Sequence, residues 1–288
     1  ILGVVSDTSG AVVPGASVTA VNAGTGERRS VQTTPVGQYT ISALPPGNYS
    51  LEVGVQGFRK FMRAGLRVDV LQNVRVDVVL EPGALSEAIA ITGESPLLET
   101  TNASLGQVID NVRIVELPLN GRNALSLVSL TTGVQPGRAG SFCGQPVTEN
   151  PYAQGNYSVN SGLQSQSETL VDGVPNNVFL WNAPAFIPSV EAVQEFKVQS
   201  SGFSAEFGHT GGGLVNLTTR SGTNVYHGSL FEFLRNDLLD ANTFFNNRGG
   251  GKKPPFTYNQ FGGALGGVVR LPGYDGKEKT FFFTNYEG

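Results

Sequence analysis

The side chains of this sequence alternate with a period of two. Along residues 190–224, VEAVQEFKVQSSGFSAEFGHTGGGLVNLTTRSGTN, apolar and polar residues change places almost one by one, the mark of strands with one buried face. The segment predicts a short helix, an alternating strand, a turn of helix, the triple glycine Gly211, Gly212 and Gly213, and a second strand over residues 214–220. Such a unit buries one face against a layer it does not itself supply, so it is expected at a boundary between bodies. Alternation also runs through residues 1–82, and no uninterrupted apolar run exceeds four residues. A membrane helix needs about 20. If this chain meets a membrane, it does so as a β-barrel, the other structure that satisfies every backbone polar group in lipid.

Composition agrees with a β-rich globular chain of more than one domain: 288 residues, 39% apolar, 15% charged, 38 glycines. Disorder requires fewer apolar residues and more net charge. The net charge of −4 and the absence of any Lys/Arg run beyond Arg28-Arg29, Arg59-Lys60 and Lys252-Lys253 argue against a nucleic-acid partner. Cys143 is alone, which excludes an internal disulfide and a cysteine-built metal site. The chain opens on an apolar strand with no initiator Met, as a mature start or a boundary inside a longer chain would.

Residues 1–82 predict about seven short strands in a sandwich, punctuated by turn chemistry at Pro14-Gly15, 24–26, 45–48 and Gly57. Within GQYTISALPPGNYSLEV, Tyr39 and Ile41 share one strand face, and Tyr49, Leu51 and Val53 resume the inward alternation after the Leu44-Pro45-Pro46-Gly47 turn, which predicts a hairpin. This G-x-Y-x-I…L-P-x-G-x-Y pattern resembles the transthyretin-like, carboxypeptidase-regulatory β-sandwich. Such modules accompany zinc carboxypeptidases, but a zinc peptidase needs two His and a carboxylate on one metal. Here His209 and His227 have no H-x-x-E or H-E-x-x-H spacing, and the simpler expectation is two surface or lumen-facing histidines.

Residues 83–96 form a linker whose core, LSEAIAITGESP, is short, apolar at its centre and framed by Glu87 and Glu94. An extended peptide between two bodies is suited to strand addition, where backbone hydrogen bonds supply the affinity; alternatively residues 88–92 form an edge strand of a neighbouring sheet. Asp110 is placed to cap a helix bearing Val112, Ile114, Val115 and Leu117, and Asn123 a second bearing Leu125, Leu127, Val128 and Leu130. Residues 134–166, rich in Gly, Ser, Asn and Gln, predict a long loop with Tyr152 and Tyr157 among its few rings. Residues 169–175 predict a strand ending in an Asp172-Gly173 turn. Without a D-x-D-x-D-G series, Asp172 is expected to cap backbone N–H groups rather than bind calcium.

Four motifs in order, I-x-x-L-P-L-N-G-R at 114–122, L-V-D-G-V-P at 170–175, V-E-A-V-Q-E-F-K-V at 190–198 and F-G-H-T-G-G-G-L-V-N-L-T-T-R-S-G-T-N at 207–224, resemble the plug domain of TonB-dependent outer-membrane receptors. The resemblance is nearest to the Oar-like group, which carries a carboxypeptidase-regulatory sandwich before the plug. It implies a plug over residues 97–222, with Asp172, Gly173, Glu191, Glu195, Gly211, Gly212, Gly213 and Arg220 as structural positions of its motifs, the three glycines letting the backbone turn closely against the barrel wall before residues 214–220 form the last plug strand. It also implies that Glu87, Ala88, Ile89, Ala90, Ile91, Thr92 and Gly93 stand where the family has its TonB box, the segment that contacts a TonB-type energy-coupling protein.

Residues 223–288 hold half of the aromatic residues, and residues 225–234, 257–270 and 279–287 predict amphipathic strands, with Phe261, Leu265 and Val269 on one face. Barrel strands have this form, apolar toward outer-membrane lipid and smaller or polar toward the lumen. Three strands cannot close a plugged barrel of about 22, so an N-terminal part of a longer chain is expected. The predicted fold is therefore mainly β: an N-terminal β-sandwich, an α+β plug domain, then the first strands of an incomplete transmembrane β-barrel. By resemblance the sandwich and plug face the periplasm, and the ligand is an unidentified siderophore, oligosaccharide or peptide. No catalytic residue, metal or cofactor is expected, since the chain has neither G-x-S-x-G nor G-x-x-x-x-G-K-[ST]. The competing expectation is an adhesion or assembly protein whose sandwich binds carbohydrate or protein.

Overall fold

The computed structural model describes residues 1–83, 88–92, 104–117, 119, 121–136, 157–163, 166–178 and 182–288. Glu87, Gly93, Cys143, Tyr152 and most of the expected loop over residues 134–166 lie outside them.

The N-terminal body is a sandwich of strands β1 (Leu2–Asp7), β2 (Ser17–Asn22), β3 (Arg28–Gln32), β4 (Gln38–Thr40), β5 (Gly47–Gly54), β6 (Lys60–Val68), β7 (Val78–Leu80) and β8 (Ala88–Thr92). One sheet runs β4-β1-β7 and the other β3-β2-β5-β6-β8. Alternation seats Tyr39, Ile41, Tyr49, Leu51 and Val53 in a single core with Val18, Leu66 and Val78. The ring hydroxyls are answered: Tyr39 donates to the Val76 carbonyl at 2.6 Å and Tyr49 to that of Pro45 at 2.8 Å. The expected hairpin does not form. β4 pairs with β1 and β5 pairs with β2 and β6, so Leu44-Pro45-Pro46 carries the chain from one sheet to the other. Two consecutive prolines supply no N–H to a ladder, and the strand cannot fold back on itself there.

The central body is a sheet ordered β13-β12-β15-β14-β9, from β9 (Leu105–Asp110), β12 (Glu168–Val171), β13 (Val174–Pro175), β14 (Val193–Ser201) and β15 (Leu214–Thr219). Helix α1 (Asn111–Glu116), a 3-10 helix (Ala124–Leu130) and a small hairpin of β10 (Val134–Pro136) and β11 (Tyr157–Val159) contribute to the same apolar cluster as one face of the sheet. The two caps form as expected: Asp110 accepts the Arg113 N–H at 3.0 Å and Asn123 the Leu125 N–H at 2.9 Å. Helix α1 buries only Ile114, while Val112 and Val115 are exposed, because six residues present less than two turns to the sheet. The ends of the expected loop are also not loop: β10 and β11 pair.

The C-terminal body is an antiparallel sheet ordered β16-β17-β20: β16 (His227–Asn236), β17 (Thr257–Val268) and β20 (Phe281–Glu287), with α2 (Phe244–Arg248) between β16 and β17, and the small hairpin of β18 (Arg270–Leu271) and β19 (Tyr274–Asp275) between β17 and β20. Among the described residues these strands form an open sheet. Directly opposed residues share a face. Leu230, Phe261, Leu265 and Tyr286 stand on the outer, exposed one, with Leu230 at 92% exposure. The other face carries Phe231, Phe233, Asn285 and Glu287 toward the central body. The inner face is thus not confined to small or polar residues, because the two phenyl rings meet a cation there.

Candidate functional site

The chain turns at Gly121 (φ 74°) and Arg122 (φ 49°) to enter the Asn123-capped helix. This left-handed pair aims Arg122 into the gap between the central sheet and the strand layer. Its guanidinium is 9% exposed and meets both carboxylate oxygens of Glu191 at 2.5 Å. Its Nε lies 3.4 Å from Glu287 Oε1, and its plane sits 4.0 and 4.7 Å from the ring centres of Phe231 and Phe233. Gln260 donates to Glu287 from the neighbouring strand. A cation so far out of water is stable only when carboxylates and ring faces answer it, so one side chain fastens the central sheet to β16 and β20. Beside it opens a polar cleft lined by Asn123, Ile187, Ser189, Asn285 and Glu287, with Asn285 donating to Ser189 Oγ at 2.6 Å. Arg220 lines the adjacent cleft with Phe283, and its N–H donates to the Ala192 carbonyl.

The opposite face of the central sheet is polar yet buried. Glu195, Lys197 and Gln199 alternate with Phe196 and Val198 along β14, and all five are buried. Glu195 and Lys197 meet the sandwich. Glu195 Oε1 accepts the Val70 N–H at 2.6 Å, its other oxygen lies 3.4 Å from Arg67, and Lys197 Nζ donates to the Leu71 carbonyl at 2.9 Å. Leu71 is held at φ 51°, a left-handed conformation that is uncommon for this residue type. Burial pushes the Glu195 carboxyl above its ordinary range; Asp69 adds to the shift, and the Val70 N–H and Arg67 oppose it. A second tie runs from the sandwich turn: the Asn224 N–H donates to the Gly24 carbonyl at 3.0 Å, and Asn224 Oδ1 accepts the Glu278 N–H at 2.8 Å.

The remaining expected positions are structural and dispersed. Asp172 (φ 51°) and Gly173 (φ 80°) make the β12–β13 turn, and the Asp172 carboxylate accepts the Thr219 N–H at 2.8 Å and its hydroxyl at 2.7 Å, as the sequence anticipates. Gly211, Gly212 and Gly213 approach β11 and the start of β12 rather than the strand layer. A Cβ on Gly213 would lie 2.6 Å from Val159 Cγ2, and one on Gly212 2.9 Å from Ser167 Oγ. The correction has a simple cause: β15 runs parallel to β12, so the chain must pass close under β11 to reach that register. Ala88–Thr92 pairs in parallel with β6, Ala88 against Lys60 through Thr92 against Ala64. The structure therefore gathers Glu191 and Arg220 near the strand layer, places Glu195 under the sandwich, and leaves residues 88–92 on the sandwich edge. Arg122 and Glu287 were not singled out by sequence; the NGR turn following L-P-L and a lone carboxylate ending an aromatic strand were their only signals.

Two family models match the chain: a carboxypeptidase regulatory-like domain over residues 1–81 and an outer membrane beta barrel domain over residues 218–288. The TonB-dependent transporter Oar of Myxococcus xanthus is 27% identical over 285 residues, 93% of this chain and 24% of that protein. The chain thus spans about a quarter of that relative's length. Among solved structures, the siderophore receptor PirA of Acinetobacter baumannii aligns over 59% of this chain and 23% of its own, at 21% identity and a TM-score of 0.41. The outer membrane transporter YddB of Escherichia coli aligns over 58% and 24%, at 14% identity and a TM-score of 0.42. Scores of that size carry no weight by themselves. The sequence likeness to this TonB-dependent transporter runs through sandwich, central sheet and strand layer alike.

Proposed function

We propose that the chain is the N-terminal part of a TonB-dependent outer-membrane receptor. Residues 1–82 are its periplasmic sandwich, 83–96 the linker holding the TonB box at 87–93, 97–222 the plug, and 223–288 the first strands of the barrel. The observation that carries this reading is the Arg122 junction, where a buried cation of the central sheet is answered by Glu287 and two rings on the inner face of antiparallel strands whose outer face is exposed and apolar. Strands with that division of faces suit a lipid-facing wall around an interior body. The ligand binds on the extracellular side between plug and barrel loops, and a TonB-type partner pulls residues 87–93 to rearrange the plug. No bond is made or broken by the protein. Work done on a small, polar body can open it locally while the sandwich stays folded.

An adhesion protein whose sandwich binds carbohydrate would need an outward ring there, and Phe58 and Phe61 are both packed with the sandwich core. The test is deletion of residues 87–93 in the full-length protein, with surface binding and uptake of labelled ferric siderophores, oligosaccharides and peptides measured on cells. Uptake lost while surface binding persists is the expected result. Unchanged uptake would remove the coupled mechanism and leave the adhesion reading.

A further inference from the structure

Among the described residues the sandwich stands on the rest of the molecule by two turns. One joins β6 to β7 and is closed on itself: the Gln72 N–H donates to the Asp69 carbonyl at 3.2 Å, and the Asp69 N–H to Gln72 Oε1 at 3.0 Å. It gives the Val70 N–H to Glu195 and receives Lys197 on the Leu71 carbonyl, with Arg67 beside it. Val70 is 5% exposed yet belongs to neither apolar core, as a residue sealed at a seam does. The other turn joins β2 to β3. The Gly24 carbonyl accepts the Asn224 N–H at 3.0 Å, a Cβ on Gly24 would lie 3.3 Å from Thr223 Cγ2, and one on Gly26 2.7 Å from Glu278 Cγ. Thr223 and Asn224 lead into β16 and Glu278 lies just before β20, so this turn rests on the strand layer. The hydrogen-bonded and ionic contacts that make the β14 seam add little net stability over water, and polar seams between domains of one chain ordinarily open and close. The left-handed Leu71 in the first turn stores strain that persists only while the contacts around it hold.

We propose that the sandwich is a releasable clamp: braced on the strand layer through residues 24–26, it grips β14 through residues 67–71 and keeps the central body closed until it lets go. This rests on residues 97–222 being a plug and residues 223–288 the start of its wall. Val68 and Val74 flank one turn and Ala20 and Val31 the other, and all four pack in one apolar core. The two contacts are therefore made by one body, and each raises the effective concentration of the other. The central sheet cannot open without losing its grip on residues 67–71, so it opens less readily the more firmly residues 24–26 are seated.

A Cβ on Gly24 would lie 3.8 Å from Thr223 Cβ, a separation that a disulfide spans, and neither residue belongs to the central sheet. The experiment places Gly24→Cys and Thr223→Cys in full-length protein carrying Cys143→Ser, with and without Lys197→Met or Glu195→Ala, and reconstitutes each protein in planar lipid bilayers. The quantity read is the urea midpoint at which conductance appears, in the oxidised form and after dithiothreitol. The clamp predicts that the crosslink forms, that either β14 variant lowers the midpoint, and that oxidation raises it markedly with Glu195 and Lys197 in place but little without them. Equal shifts in all backgrounds are what loop closure alone gives and would overturn the clamp, as would a midpoint that neither β14 variant moves. Failure to crosslink would overturn the seating of the β2–β3 turn on the strand layer, and the clamp with it. A wild type that never conducts as urea rises would refute the plug-and-wall reading itself, a result distinct from a conductance that the variants leave unchanged.

Discussion

A guanidinium taken almost wholly out of water needs its charge answered on every side, and Arg122 finds that in Glu191, Glu287 and the faces of Phe231 and Phe233. Replacing it by Ala leaves Glu191 buried and uncompensated, a loss of about 3–5 kcal/mol for a broken buried pair. The measurement is urea unfolding of full-length protein in detergent, and a loss below about 1 kcal/mol would make the pair incidental. Glu195 makes a second prediction. Its folded pKa lies above the ordinary carboxylate value because of burial, so between the two values the folded state binds more protons than the unfolded one. This carboxyl therefore adds stability as pH falls through its folded value, and that contribution is lost as pH rises through it. The difference in Tm between wild type and Glu195→Gln should accordingly shift in the wild type's favour on acidification from neutral toward about pH 4.3; a difference flat with pH contradicts the assignment. Neither residue announced its role in sequence, because a lone Arg after a turn and an alternating Glu on a strand read as solvated until the bodies that cover them are known.

Among the elements, those governed by a single buried face were legible. Tyr49, Leu51 and Val53 point inward as their spacing requires, Asp110 and Asn123 cap where expected, and the three C-terminal strands fall within a few residues of the expected ranges. What alternation specifies is the face of a strand and not its partner, so the passage of Leu44-Pro45-Pro46 between two sheets and the pairing of β10 with β11 were out of reach. Helix α2 was missed as well. Its five residues carry too short an apolar period to register. The triple glycine was read correctly as a close approach but assigned to the wrong neighbour. Gly213→Ala tests the corrected one: its Cβ would meet Val159, an overpacking cost of about 1–3 kcal/mol seen in denaturant unfolding and relieved by combination with Val159→Ala. An undiminished midpoint in Gly213→Ala would mean that β11 yields freely.

At the scale of the whole molecule the three bodies are tied at two levels: the sandwich to the polar face of the central sheet and to the turn that leads into the strand layer, and the central sheet to the strand layer through Arg122. That polar face explains why β14 alternates chemically and yet is buried on both sides. Half of the apparent solvent face is the seat of another domain. In the proposed cycle, pulling on residues 87–93 acts on a segment of which Ala88–Thr92 pairs with the sandwich strand β6, and the ties at Glu195 and Lys197 pass the load to the sheet beneath it. The central claim is that this segment is where the energy-coupling partner engages. Its most direct measurement is a calorimetric titration of full-length protein with the periplasmic domain of a TonB-type protein, beside the same protein lacking residues 87–93. The account predicts one-to-one binding that the deletion abolishes; equal binding by both proteins would contradict it.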